Sequence, residues 1–134
     1  MKKLFSVALA IVLLVAGFAF AEDYSAMTDE ELQAANKAIQ AELWARSVAK
    51  DGVLIPTGTY IIGEDIPAGK YRVVKQDDIF ASYLDLYKDA DMEDYDYLAM
   101  HEEDPEIGKV DLTGYYALKV DGPATFYAYT GLFN

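Results

Sequence analysis

The spacing of apolar residues changes twice along this chain. Residues 4–18 are almost continuously apolar and follow Lys2 and Lys3, with Ala19-Phe20-Ala21 closing the run. A basic start, a short apolar stretch and a small-x-small ending describe a secretory leader, so cleavage is expected after Ala21, with Ala19 and Ala21 as the residues signal peptidase reads. The run is short of the roughly 20 residues a spanning helix needs, and no permanent membrane span is expected in the mature form. Next, Leu32, Ala35, Ile39 and Leu43 recur at helical spacing, while Trp44 and Val48 fall well round the cylinder. Thr28 with Glu31 reads as a capping box. Asp29, Glu30 and Glu31 suit the positive end of the helix dipole, and Asp51-Gly52 stops the pattern. This predicts one amphipathic helix over 29–48.

From Val53 the period becomes 2. Strands are predicted over 53–55, 59–62, 70–75, 80–87, 95–100, 108–112, 115–120 and 125–129, divided by Gly, Pro and Asp clusters. No long helical pattern interrupts them, which argues against parallel βαβ construction. The expected fold class is mainly β: an antiparallel sandwich or small barrel preceded by the helix. The expected divisions are a signal peptide over 1–21, a helix and linker over 22–52 and an all-β domain over 53–134.

A Gly-x-Tyr unit opens a strand three times, at Gly58-Thr59-Tyr60, Gly69-Lys70-Tyr71 and Gly114-Tyr115-Tyr116. The expected reading is structural: the glycine supplies positive φ and the tyrosine closes the core with its hydroxyl in water. Alternation places Tyr116, Leu118 and Val120 on one face against Lys119, and Tyr71 and Val73 against Arg72.

The segment Pro56-Thr57-Gly58-Thr59-Tyr60, continued by Gly63-Glu64-Asp65-Ile66-Pro67-Ala68-Gly69-Lys70-Tyr71 and preceded by a helix ending Ala41-Glu42-Leu43-Trp44-Ala45, resembles a group of exported bacterial proteins of unknown function. Their shared feature is Gly-x-Tyr/Trp-x-Val-Gly-x-Asp-Ile-Pro-x-Gly-x-Tyr/Trp behind an Ala-x-Trp-Ala-type helix. Ile62 stands where valine is common, and Tyr60 and Tyr71 where tryptophan also occurs. The resemblance implies export and brings no catalytic residues.

Charge narrows the partners. The 134 residues carry a formal net charge of −12, and loss of Lys2 and Lys3 with the leader leaves 113 residues at −14. Such a surface repels phosphate backbones, so nucleic acid is excluded as a partner. There is no cysteine, hence no disulfide staple and no lipidated N-terminus, and the core must hold by packing alone. The expected location is secreted or at the cell surface.

Candidate chemistry is sparse. Asp89, Asp91 and Glu93 alternate as at the start of a calcium loop, but Asp94 stands where that loop needs glycine and Met100 where it needs glutamate; a solvated acidic hairpin is expected. His101 is the single histidine, so the usual zinc shell cannot be assembled, and it reads as a lone surface residue at a loop edge. Nothing marks a nucleophile turn, and a domain of this size leaves little room for a glycosidase cleft. No enzyme activity and no cofactor are expected. If Phe80, Ser82, Leu84 and Leu86 face inward, Tyr83 and Tyr87 face out. Tyr127 and Tyr129 do the same opposite Phe126, and Tyr115 opposite Tyr116. These five tyrosines are the candidate surface for a protein or glycan at the cell exterior. The alternative is a structural protein assembled or packed through its helix, and a third reading is a calcium-binding or small hydrolytic domain.

Overall fold

The computed structural model describes residues 24–131, so Ala19, Ala21 and the rest of the expected leader lie outside the described residues. A 3₁₀ turn at Tyr24–Ala26 precedes helix α1, Asp29–Lys50, and eight strands follow: β1 Val53–Ile55, β2 Gly58–Ile61, β3 Lys70–Lys75, β4 Ala81–Tyr87, β5 Tyr95–His101, β6 Glu106–Asp111, β7 Ala117–Asp121 and β8 Ala124–Ala128. The chain divides into two units, Met1–Trp44 and Ala45–Asn134. The end of α1 from Ala45 on thus goes with the strands.

The capping box forms in both directions. The Glu31 amide donates to Thr28 Oγ1 at 3.2 Å and the Thr28 amide to Glu31 Oε2 at 2.9 Å, pairing two amides that a helix start otherwise leaves orphaned. The helix closes where Gly52 turns left-handed and its amide donates to the Ser47 carbonyl at 2.8 Å. The expected stripe is covered unevenly: Ala35 is buried, but Ile39 and Leu43 are exposed. Among the described residues no helix is long and apolar enough to cross a membrane.

The strands form two four-stranded antiparallel sheets, β1-β8-β3-β6 and β2-β7-β4-β5, layered as a sandwich and not closed into a barrel. Inward side chains alternate with outward ones as a two-layer sheet fold requires. Tyr71, Val73, Val110 and Phe126 line the buried side of the first sheet, and Ser82, Leu84, Leu86, Met100, Leu118 and Val120 that of the second. Only β4 and β5 are consecutive neighbours within a sheet; every other connection crosses from one layer to the other.

That topology explains the segment 56–71. Pro56 and Pro67 sit at two of these crossings, and each begins a Pro-x-Gly-x-Tyr run. The Tyr60 hydroxyl donates to the Pro56 carbonyl and the Tyr71 hydroxyl to the Pro67 carbonyl, both at 2.6 Å. Each tyrosine reaches back four residues and ties its own corner. The expected wet hydroxyl is therefore a bonded one, and Tyr71 is buried. Gly58 keeps a negative φ. A Cβ there would stand 3.3 Å from the Tyr60 hydroxyl, close enough to press on its bond to Pro56. Between the corners, Asp65 Oδ2 accepts from the Ile61 amide at 2.8 Å and Ile66 is buried.

The third Gly-x-Tyr does not repeat the device. Tyr115 bonds elsewhere, and Tyr116 is exposed just before β7, its amide donating to the Tyr87 carbonyl at 2.8 Å. Phe80 also departs from expectation, being 72% exposed. The buried Lys75 ammonium donates to the Gln76 and Ile79 carbonyls at 3.0 and 2.7 Å. It holds the turn up to residue 79, so the ladder starts only at Ala81 opposite His101.

Candidate functional site

Alternation along β4 buries Ser82, Leu84 and Leu86, leaving Tyr83, Asp85 and Tyr87 on the outer face of the β2-β7-β4-β5 sheet. The hairpin partner β5 lays its own alternate residues beside them: Tyr87 opposite Tyr95, Asp85 opposite Tyr97, Tyr83 opposite Ala99 and Ala81 opposite His101. Rings meet directly or on the diagonal, as cross-strand neighbours do. Tyr83 and Tyr97 stack at 5.9 Å with 20° between planes, Tyr83 meets His101 edge-on at 5.9 Å, and Phe80 meets His101 at 6.4 Å. Tyr87 tilts against Tyr95 at 5.4 Å. The result is a row of six aromatic side chains in which Phe80, Tyr95 and Tyr97 are largely exposed, at 72, 49 and 56%.

Polar groups lie within this face. Asp85 is paired in register with Lys119, and Tyr83 with Asp121. The Tyr97 hydroxyl is held to a raised pKa, first by partial desolvation among its neighbours and then by Tyr83, Asp85 and Asp121. It stays a neutral donor and acceptor through the physiological range.

The five tyrosines anticipated from the sequence are divided among three places. Tyr83 and Tyr87 belong to this row. Tyr127 lies on the outer face of the other sheet, under the Arg72 guanidinium at 4.4 Å, with Tyr129 just beyond β8 and Lys109 Nζ 5.6 Å from its ring centre. Tyr115 donates to Asp96 Oδ2 at the β4–β5 hairpin. Sequence reasoning missed Tyr95, Tyr97, Phe80 and His101 as members of the row. The Tyr95-x-Tyr97 alternation carried the signal for the first two. His101, read as a lone residue at a loop edge, ends β5 and bridges Phe80 to Tyr83.

The acidic hairpin is closed by local bonds. Asp89 Oδ1 accepts from the Asp91 amide at 3.2 Å, and Lys88 Nζ lies 3.2 Å from Asp94 and 3.7 Å from Asp96. Lys88 is raised in pKa, chiefly by the hydrogen bond it donates to Asp94. Asp89, Asp91 and Glu93 do not converge: among the described residues no three acidic or histidine side chains are grouped to hold a metal ion. The hydrogen bond to Asp96 is also the main reason the Tyr115 pKa is raised. A group whose pKa is raised on folding adds stability below its unfolded value and loses it as pH climbs through the folded one. Alkaline titration by NMR should therefore place the Tyr115 midpoint above the ordinary 10.0, and Asp96→Asn should bring it down. An unchanged midpoint in that variant would remove Asp96 as the cause.

Comparison of the chain with protein-family models, curated proteins and solved structures gives no match. The resemblance in residues 41–71 rests on its motif alone, and any function must be argued from the surface just described.

Proposed function

We propose that this protein is an exported, non-catalytic binding module that takes a glycan chain across the aromatic row of the β2-β7-β4-β5 sheet. The observation that carries this reading is the contiguity of Phe80, His101, Tyr83 and Tyr97, with Tyr87 and Tyr95 completing the row. Rings that brace one another are ordered before a ligand arrives, and tyrosine costs little rotamer entropy to fix. The surface is an open face along a strand, and β5 runs about 20 Å at 3.4 Å per residue. That shape suits an extended chain whose apolar sugar faces lie on rings and whose hydroxyls meet Asp85, Lys119, Asp121 and the phenols. The leader over 1–21 and the resemblance to exported proteins support an extracytoplasmic location.

Binding to soluble neutral polysaccharides, measured calorimetrically, tests this reading. Tyr83→Ser with Tyr97→Ser should weaken retention at least about tenfold, since each lost ring contact is worth around 1 kcal/mol and tenfold is about 1.4. Tyr127→Ser with Tyr129→Ser, on the opposite sheet, should leave it unchanged. Equal retention by the Tyr83/Tyr97 variant, with its fold intact by circular dichroism, would remove the aromatic row from any role in binding.

A further inference from the structure

The outer face of the other sheet holds a second, chemically different feature. A groove of about 580 Å³ is bounded by Val48, Ala49 and Lys50 at the end of α1 and by Arg72, Glu106, Tyr127 and Tyr129 on the sheet, a volume in the range of small-ligand pockets. One of its two cations, Arg72, lies opposite a β-bulge. Tyr71 pairs with Val110 and Val73 with Ile107, so the single residue Arg72 is opposed by both Gly108 and Lys109. A bulge re-aims side chains, and here Lys109 Nζ comes to lie 5.6 Å from the Tyr129 ring centre. Lys50 and Arg72 thus line the groove against one acid within it, Glu106, in a chain whose net charge is −12. Asp111, further along β6, is depressed in pKa chiefly by the Thr113 amide and also by Lys70 and Lys109; it is paired in register with Lys70.

Arg72 is held in position without being used up. Its guanidinium rests over Tyr127 at 4.4 Å and gives one hydrogen bond, from Nη1 to Glu106 Oε2 at 3.1 Å. Guanidinium carries five N–H donors, and the others make no hydrogen bond to a described residue. A pre-oriented fork of this kind recognises a carboxylate in two-point fashion. The remaining walls, Val48, Ala49, Ala128 and the Tyr129 ring, are apolar and suit the C–H face of a pyranose.

We infer that this groove binds an acidic sugar, a uronate whose carboxylate meets Arg72 and Lys50 while its ring lies on Tyr129 and Ala49. The site is independent of the aromatic row, which lies on the other sheet and carries Asp85 and Asp121 beside its single lysine. The test is NMR titration of the full mature chain with trigalacturonic acid, its methyl ester and a pentaglutamate peptide. Trigalacturonic acid should perturb the signals of Arg72, Tyr127 and Tyr129, with an affinity that falls as salt rises; the methyl ester and the peptide should not. Arg72→Gln should weaken binding at least tenfold, and Arg72→Lys should fail to restore it because the planar fork is lost. Glu106→Gln, which removes the competing carboxylate, should tighten binding several-fold. Absence of those perturbations, equal binding of the ester or the peptide, or an Arg72→Gln variant that binds like wild type would each overturn the assignment.

Discussion

Tyr71→Ala is expected to cost the β-domain about 3–5 kcal/mol, as deletion of a buried aromatic ring does. Tyr71 is only 4% exposed, and its ring tilts against the fully buried Phe126 at 5.6 Å. The loss comes from two sources that a second variant separates. Tyr71→Phe keeps the ring and leaves the Pro67 carbonyl without its 2.6 Å partner, which should cost about 1 kcal/mol. The rest of the alanine penalty is cavity. Because domains of this size are stable by about 5–15 kcal/mol, the alanine variant should lose a large part of its denaturation midpoint, and melting should fall by roughly 15 °C or more. Tyr60 makes the same bond to Pro56 at 2.6 Å but is only half-buried. Water replaces its hydroxyl there, so Tyr60→Phe should cost less than Tyr71→Phe. Urea denaturation of the three variants checks the order. If Tyr71→Ala lies within 1 kcal/mol of wild type, the corner does not anchor the core.

The strands were legible because their boundaries are local. The predicted spans 53–55 and 70–75 coincide with β1 and β3, each set off by Gly or Pro, and the Thr28–Glu31 box is a relation over three residues. Phe80 was misplaced because period 2 can be extended one residue too far when nothing in the pattern reveals the Lys75 side chain holding the preceding turn. The candidate surface was harder to read. Tyr83, Tyr87, Tyr127 and Tyr129 all point outward, as alternation indicates, but outward from different sheets. Which layer a strand joins depends on pairings such as β8 with β1 and β3, and those bring Tyr127 beside Arg72 from far along the chain. The one sequential hairpin, β4–β5, is where a site could be read without a fold, since Tyr83, Tyr95 and Tyr97 become neighbours as soon as that turn is drawn. The corner device was hidden for another reason. Gly-x-Tyr was visible three times, but the proline two residues before the glycine occurs only twice, and the hydroxyl bond follows the proline.

Gly122→Ala is expected to destabilise the domain by about 3 kcal/mol or more, and the cause is space added to backbone strain. Gly122 lies between β7 of one sheet and β8 of the other, with φ at +88°; a left-handed alanine costs roughly 1–2 kcal/mol on that ground alone. A Cβ there would stand 2.6 Å from the Ala81 carbonyl oxygen and 3.2 Å from Ser82 Cα. Both are backbone atoms at the start of β4 and cannot swing aside, so the crossing itself would have to move. The move would strain two bonds that tie the crossing down, from Ser82 Oγ to the Gly122 carbonyl at 2.6 Å and from the Gly122 amide to Thr57 Oγ1 at 3.1 Å. The first involves a fully buried serine, whose loss of a partner is itself worth about 1–3 kcal/mol. Gly63 supplies the control. Its φ is +90°, yet nothing lies within 4 Å of the position a Cβ would take, so Gly63→Ala should show the strain alone, near 1 kcal/mol. Denaturation midpoints for the two alanine variants then separate backbone strain from collision. Equal losses would mean that the crossing yields freely, and that the contact with β4 does not fix how the two sheets are joined.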